Sequence, residues 1–522
     1  MTESSTEHSV RLLRHRPALP RPALGDLIAG ASVALVLIPQ SLAYAQLAGM
    51  PAYRGLYAAA LPPIAAALFA SSPYLQTGPV ALTSLLAFGV LSELAPPGSD
   101  EYIQLGLLLA LVVGAVRLAV GLLNAGVIAY LISRPLLVGF MPAAAILIIA
   151  SQLPAALGSS PEGGGILEQA ARALVDPSSW GAEEVVLSAA VVALMLGGRI
   201  VHRLFPSVFL AVALGIAYAE IAGYDGATVG SIPRSFPPVS VDLPWGELLS
   251  LLVGGVVIAL VGFVEPSSIA RAFATQERQR WDANREWIGQ GAANVAAGLT
   301  GGFPVGGSFS RSALNRTAGA RTRWSGALTG ATVLVFIPFA GVLSSLPTAV
   351  LAGIVIGAVA ALVRPLPILR LARFSTPQFL VAATTFVLTL ALAPRIDRAV
   401  LVGIGLAVAA HLWRELSLEV PSWTEAETLH LRPRGVLWFG TAARLEDVFL
   451  DLLGAHPQSD RLVIHLDGVG RIDTTAALAL RSLVRDAREA GLEVAFADVR
   501  PRWRRLVDGV IEREDDPLGS GA

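Results

Sequence analysis

The 522-residue chain contains no cysteine and no lysine, and only 15% of its residues are charged. Without cysteine there is no disulfide framework, no thiol nucleophile and no thiolate ligand for a metal. Without lysine the glycine-rich stretches cannot form a Walker A loop, whose lysine must reach a nucleotide phosphate. The seven histidines, at 8, 15, 202, 411, 430, 456 and 465, show no metal-ligand spacing. No metal, no cofactor and no enzymatic chemistry are therefore expected. A net charge of −1 gives no electrostatic basis for holding nucleic acid. The shortage of charge is also uneven: residues 1–420 carry 47 charged side chains, about 11%, and residues 421–522 carry 30, about 29%. Soluble proteins average about 25%. The chain is thus two materials joined near 420, a long apolar part suited to a bilayer and a soluble domain of about 100 residues.

Crossing about 30 Å of hydrocarbon takes an apolar helix near 20 residues long. Candidate spans lie at 26–48, 54–70, 79–93, 103–123, 128–150, 183–198 and 206–222, and again at 247–270, 286–300, 308–320, 324–344, 347–363, 376–393 and 398–414. Cytoplasmic loops keep positive charge, and Arg11, Arg14, Arg16 and Arg21 precede the first span without the apolar core of a cleaved signal peptide. The same sign recurs at Arg199 and Arg203, at Arg271, Arg278, Arg280 and Arg285, at Arg316, Arg321 and Arg323, and at Arg364, Arg370 and Arg373. The opposite loops hold Glu93, Asp100, Glu101, Asp176 and Asp242, with Arg234, Arg395 and Arg398 as exceptions. Both termini are therefore expected in the cytoplasm, in a cell inner membrane or plasma membrane. Two sets of seven spans must insert in opposite senses, and inverted repeats are a transporter architecture with the substrate held near the midplane.

The third span of each set is short and broken by Gly and Pro. The first reads Gln76-Thr77-Gly78-Pro79-Val80, with Pro79 expected at a helix start and Thr77 available as its cap. The second runs from Gly301 through Pro304, Gly306 and Gly307 to Ser308-Phe309-Ser310-Arg311, with Ser308 or Ser310 as the cap. Inversion would point both helix N-termini at each other in mid-membrane, where their free N–H groups and partial positive charge suit a dehydrated anion. Arg311 falls in the first turn of the second half-helix and adds a full charge; its alternatives are pairing with a carboxylate or shaping the field at a distance. Gln40 and Tyr44 stand four apart on one face of the first span. Glu265 lies deep in an apolar run, where it can carry a proton with the substrate or balance Arg311.

The segment Ile38-Pro39-Gln40-Ser41-Leu42-Ala43-Tyr44-Ala45, the Thr77-Gly78-Pro79-Val80 turn and the stretch from Gly301 to Gly319 resemble the sulfate permease (SulP) family of anion transporters. The resemblance covers about residues 24–515. It implies a polytopic α-helical membrane protein of 14 spans in a 7+7 inverted repeat with two half-helices, followed by a cytosolic α/β STAS domain. It implies anion binding between the third and tenth spans by Gln40 and Tyr44, by the turn holding Gly78 and Val80, and by Ser310 with Arg311. It further implies an elevator-like motion of a core against a gate, a homodimer, and coupling through the acid at Glu265. The family's anions include sulfate, bicarbonate, chloride and dicarboxylates; for this chain a secondary active transporter coupled to protons, with Na+ as the alternative ion, is expected.

The expected domains are a cytosolic arm at 1–23, a transport domain at 24–415, the STAS domain at 424–516 and a flexible tail at 517–522. In the soluble part a β-rich run at 461–466, a loop at 467–475, a helical run at 476–490 and a second strand at 492–497 give an α/β order. Thr474 opens the helix where stand-alone STAS members carry a phosphorylated Ser; a capping role is the simpler expectation. Two rivals share much of this reading. A passive anion channel could use the same helix ends but needs no titratable Glu265. A nucleobase permease shares the membrane fold but binds a neutral base, which Arg311 and the STAS domain argue against.

Overall fold

The computed structural model describes residues 21–130, 133–202, 205–239, 241–416 and 418–511. The arginines at 11, 14, 16 and 203, most of the expected N-terminal arm and the expected tail lie outside these described residues. The chain divides into two compact units, Met1–Gly405 and Leu406–Ala522.

In chain order the first unit contains α1 (Leu24–Leu47), α2 (Arg54–Phe69), strand β1 (Thr77–Gly78), α3 (Ala81–Leu91), α4 (Asp100–Leu122), α5 (Arg134–Leu157), α6 (Ile166–Val175), α7 (Ala182–Val201) and α8 (Ser207–Ala222). It continues with α9 (Leu248–Gln276), α10 (Ala283–Leu299), strand β2 (Gly306–Gly307), α11 (Phe309–Thr317), α12 (Trp324–Phe336), α13 (Thr348–Val359), α14 (Leu366–Ala372), α15 (Thr376–Ala391) and α16 (Ile396–Leu416), the last of which runs into the second unit. Each apolar stretch read from the sequence overlaps one of these helices. Among the described residues, seven helical stretches are long and apolar enough by themselves to cross a bilayer. The amphipathic α6 and the short α14 escape a search for 20-residue apolar runs.

The helices form two packed groups. In one, α10 packs on α4 and α2, α12 on α2 and α1, and α9 on α4 and α3; in the other, α13 packs on α7 and α5, and α15 on α5. Buried polar groups tie the first group together because a polar atom removed from water needs a partner. The Asp26 carboxylate at the start of α1 accepts the N–H groups of Ala23, Arg321 and Thr322 and the Thr322 hydroxyl, at 2.7–2.8 Å. The Glu286 carboxylate at the start of α10 accepts the N–H groups of Ser71 and Ser72 at 3.2 and 2.8 Å. Close backbone approach does the rest: a Cβ at Gly55 would stand 1.9 Å from the Ser41 carbonyl oxygen, so α1 and α2 meet only through a glycine.

Beyond the end of α16, the second unit holds β3 (Ser422–Glu425), β4 (Thr428–Leu431), β5 (Gly435–Leu437), α17 (Phe439–Ala455), β6 (Arg461–His465), β7 (Val469–Ile472), α18 (Thr474–Glu489), β8 (Glu493–Ala497) and α19 (Pro501–Leu506). The main sheet runs β3-β4-β6-β8, antiparallel at the β3–β4 hairpin and parallel elsewhere. Alternate residues of its strands, including Leu429, Leu431, Leu462, Ile464 and Val494, join Leu445 and Phe449 of α17 and Leu480, Leu483 and Val484 of α18 in one core.

Two expectations are corrected in this unit. Residues 469–472, read from the sequence as part of a loop, form β7 and pair in parallel with β5. The helix cap is Asp473 rather than Thr474: its Oδ1 accepts the Ala476 N–H at 2.8 Å while its Oδ2 accepts the Phe439 N–H at 3.0 Å. A carboxylate outcompetes a hydroxyl there because it also favours the positive helix end. Asp473→Ala is expected to destabilise the second unit by about 1–2 kcal/mol, and Asp473→Asn by less than half of that. Chemical denaturation followed by the fluorescence of Trp438 and Trp503 measures both.

Candidate functional site

The two punctuated stretches meet. β1 and β2 pair antiparallel, Thr77 opposite Gly307 and Gly78 opposite Gly306, and the Ser308 N–H extends the ladder to the Gln76 carbonyl at 3.0 Å. Non-helical backbone at membrane depth persists only where protein satisfies its polar groups, and besides the ladder itself α10, α11 and α4 supply partners here. Gln290 Nε2 donates to Thr77 Oγ1 at 2.7 Å. One turn on, Asn294 donates to the Val305 carbonyl at 3.1 Å and accepts its N–H at 2.9 Å. Arg117 of α4, fully buried, donates to the same Val305 carbonyl at 2.9 Å. Sequence reasoning missed Gln290, Asn294 and Arg117. The available signal was the pair of amides four apart in α10, and one arginine inside the apolar run of α4.

The first half-helix starts later than expected. α3 begins at Ala81 with Val80 as an extended N-cap that offers no side-chain hydrogen bond, so Pro79 stands outside it. Thr77 is not a cap, because the ladder to Gly307 and the bond from Gln290 commit it to the ribbon. The N–H groups of the first turn of α3 consequently have no partner within the helix. In the second half Ser308 is the cap, accepting the Arg311 N–H at 3.5 Å, and Ser310 lies exposed with its Oγ 3.3 Å from Ser308 Oγ.

Arg311 is only 1% exposed. Its Nη1 donates to Gln40 Oε1 at 3.3 Å, while Nε and Nη2 are buried without a partner. Gly78 makes room for it. At φ +152 this residue occupies a region that suits glycine, and a Cβ would point toward Arg311 Nη2 at 3.6 Å. Val80 packs across the ribbon, its Cγ2 3.2 Å from where a Gly306 Cβ would stand. Tyr44 is buried on α1, four residues on from Gln40.

Among the described residues no hydrogen bond or ion pair joins Glu265 directly to Arg311, although the two charges act on each other. Glu265 Oε1 instead accepts the Phe309 N–H at 3.2 Å, so the carboxylate sits on the N-terminus of α11. Pro266 follows directly and removes an N–H from the middle of α9, which leaves the Gly262 carbonyl without its helical donor at this level. Together these residues present an uncapped helix end, a carboxylate-capped helix end and a guanidinium with two unused donor atoms. That set can hold a small anion by charge-assisted hydrogen bonds.

The structure also brings together two histidines that the sequence leaves far apart. His430 Nδ1 and His465 Nε2 lie 3.0 Å apart on the outer face of the second unit's sheet, with Asp498 2.7 Å from His465 Nδ1 and Trp423 stacked on His430. Among the described residues no group of three such ligands could hold a metal ion.

Comparison with known proteins gives a consistent result. A model described as the sulfate permease family matches residues 24–385, and one for the STAS domain matches 423–512. A "Probable sulfate transporter" of Mycobacterium tuberculosis is 36% identical over 370 residues, 69% of this chain and 65% of that protein, so slightly under two thirds of the relative's length is matched. The chloroplastic sulfate transporter 4.1 of Arabidopsis thaliana is 29% identical over 515 residues, covering 91% of this chain and 75% of that one. The structure of murine solute carrier 26 family member A9, an anion transporter in its inward-facing state, superposes with a TM-score of 0.87 at 18% identity, covering 97% of this chain and 90% of that one. The transmembrane domain of the cyanobacterial bicarbonate transporter BicA gives 0.62 at 25% identity over 74% of this chain and 97% of that one. The fold is therefore that of a helical membrane transporter with a C-terminal STAS domain.

Gly78→Ala is expected to lower anion affinity by about tenfold or more, since the added methyl enters the space beside Arg311 Nη2 and strains the backbone. Equilibrium binding of radiolabelled sulfate to detergent-purified protein measures the change.

Proposed function

The chain belongs to the sulfate permease family, and on that premise we propose that it is a secondary active transporter that moves a small anion across a membrane bilayer. The anion is of the sulfate, bicarbonate or dicarboxylate class, the first two being the anions that the names of relatives carry. The observation that carries the reading is Arg311, a buried guanidinium with Nε and Nη2 unpartnered, in the first turn of α11 and beside the glycine that precedes α3. A buried charge with open donors is costly unless a ligand completes it.

In this reading Gln40 orients Arg311 through its Oε1, and Tyr44 bounds the site on the same face. The anion lies between the first turns of α3 and α11, taking N–H groups from the uncapped end of α3 and from Ser310, with Gly78 and Val80 shaping the ribbon behind it. Glu265 supplies the coupling. While ionised, it holds the Phe309 N–H and places a negative charge at the helix end that the substrate needs. A proton on Glu265 withdraws that charge, so anion and proton enter together. A passive channel has no use for such a group, which favours coupled transport.

The remaining elements of the proposal follow from symmetry and charge. Antiparallel pairing of β1 with β2, one from each set of seven spans, is the relation that an inverted 7+7 repeat of 14 crossings would produce. The two packed helix groups supply a core carrying the site and a gate past which it moves. The arginine-rich loops support a reading with both termini in the cytoplasm, and the inner or plasma membrane and the homodimer are what the family resemblance implies.

Uptake into proteoliposomes tests the reading. Arg311→Ala is expected to reduce uptake of the transported anion by about 100-fold with the protein still folded, and uptake at the wild-type rate would reject the site. An inward proton gradient is expected to drive wild-type uptake and to leave Glu265→Gln unaffected; equal responses in both proteins would remove Glu265 from the coupling mechanism.

A further inference from the structure

Arg117 has no evident structural task for its charge. Its side chain is fully buried in α4 and donates to three backbone carbonyls: Nε to Ala259 at 3.2 Å, Nη2 to Ile258 at 3.3 Å and Nη1 to Val305 at 2.9 Å. None of the three depends on it. Ile258 and Ala259 lie within α9, whose own N–H groups four residues on serve their carbonyls. The Val305 carbonyl already receives the Asn294 amide at 3.1 Å. A neutral donor would satisfy the same atoms.

Nor is the charge balanced locally. Arg316 pairs with Glu277 and Arg395 with Asp397 and Glu93, but among the described residues no carboxylate pairs with Arg117. An uncompensated cation in this interior carries a large desolvation penalty. Its position suggests what offsets that penalty. Val305 immediately precedes β2, and a Cβ at Gly262 would lie 2.6 Å from Arg117 Nη2 and 3.0 Å from Cγ2 of Thr83, in the first turn of α3. Arg117 thus sits where the segments leading to both half-helices converge.

We propose that Arg117 is a specificity-determining countercharge that biases the anion site toward doubly charged over singly charged substrates. The proposal rests on the anion site described above. Coulomb attraction is linear in the substrate's charge and decays slowly in a low-dielectric interior without mobile ions. A dianion therefore gains twice the stabilisation of a monoanion from the same fixed cation. With Glu265 protonated, the two buried guanidinium groups of Arg117 and Arg311 balance one dianion.

The test is equilibrium binding of sulfate and of nitrate to the purified full-length chain, to Arg117→Gln and to Arg117→Lys. In the Gln variant sulfate affinity is expected to fall by about the square of the nitrate loss, for example about 100-fold against about tenfold. The Lys variant, which keeps the charge, is expected to retain the wild-type ratio. Equal losses for the two anions in Arg117→Gln would show a merely structural role and overturn the proposal. If the Gln variant does not fold, the Lys variant decides: the wild-type ratio supports the proposal, and a lost preference for sulfate overturns it. A wild-type chain that binds neither these nor other small anions would reject the anion site itself, and this proposal with it.

Discussion

Backbone that leaves the helix in the middle of a bilayer must find every hydrogen bond within the protein, because lipid offers none. The ribbon of Thr77–Gly78 against Gly306–Gly307 is where this chain meets that constraint. Its neighbours follow from it. Gln290 and Asn294 point from one face of α10 to the strand β1 and to the residue before β2. Ser312 Oγ takes the Gln76 N–H at 2.9 Å, and Ser308 closes the ladder from the other side. Once these bonds are made, donors stay open around Arg311: its own Nε and Nη2, and the N–H groups of the first turns of the two half-helices. These donors suit an anion, while the unpartnered Gln76 Oε1 and Gln290 Oε1 beside the ribbon are acceptors.

Charge decides the rest. The interior holds Arg311 and Arg117 as cations and Glu265 as the carboxylate seated on a helix N-terminus. Each is expensive alone in a low-dielectric setting, and together they leave one positive charge, which a monoanion balances alone and a dianion balances together with one proton. In the proposed reading, selectivity for anions, preference among anions of different charge and coupling to protons are three aspects of one electrostatic balance. A Cβ at Gly78 would come to van der Waals contact with Leu37 and Arg311 Nη2, on a backbone conformation that favours glycine.

The sequence made the apolar spans legible because hydropathy reports burial in lipid directly, and it made Arg311, Gln40, Tyr44 and Glu265 visible because polar groups stand out in an apolar run. It did not reveal where α3 begins. Pro79 and Thr77 read as a helix start by local rules, but Thr77 is claimed by a strand partner 230 residues away, and long-range pairing leaves no local mark. The same reason hid β7, whose partner β5 lies across α17 in the chain. Glu265 was visible while its partner was not: choosing between the Arg311 side chain and the Phe309 N–H requires the packing of α9 against α11. Asp473 illustrates a milder failure, where two adjacent residues were both competent caps and the geometry chose the carboxylate.

The central claim is that an anion completes the donors left open between the two half-helices. An anomalous-scattering structure of the protein with selenate, a dianion of sulfate's shape, tests it most directly. The account predicts a selenium peak between the first turns of α3 and α11, within hydrogen-bonding distance of Arg311 Nη2 and of the Ser310 N–H. A peak elsewhere in the membrane domain, or an Arg311 guanidinium closed onto Glu265 with no anion beside it at saturating selenate, would contradict it.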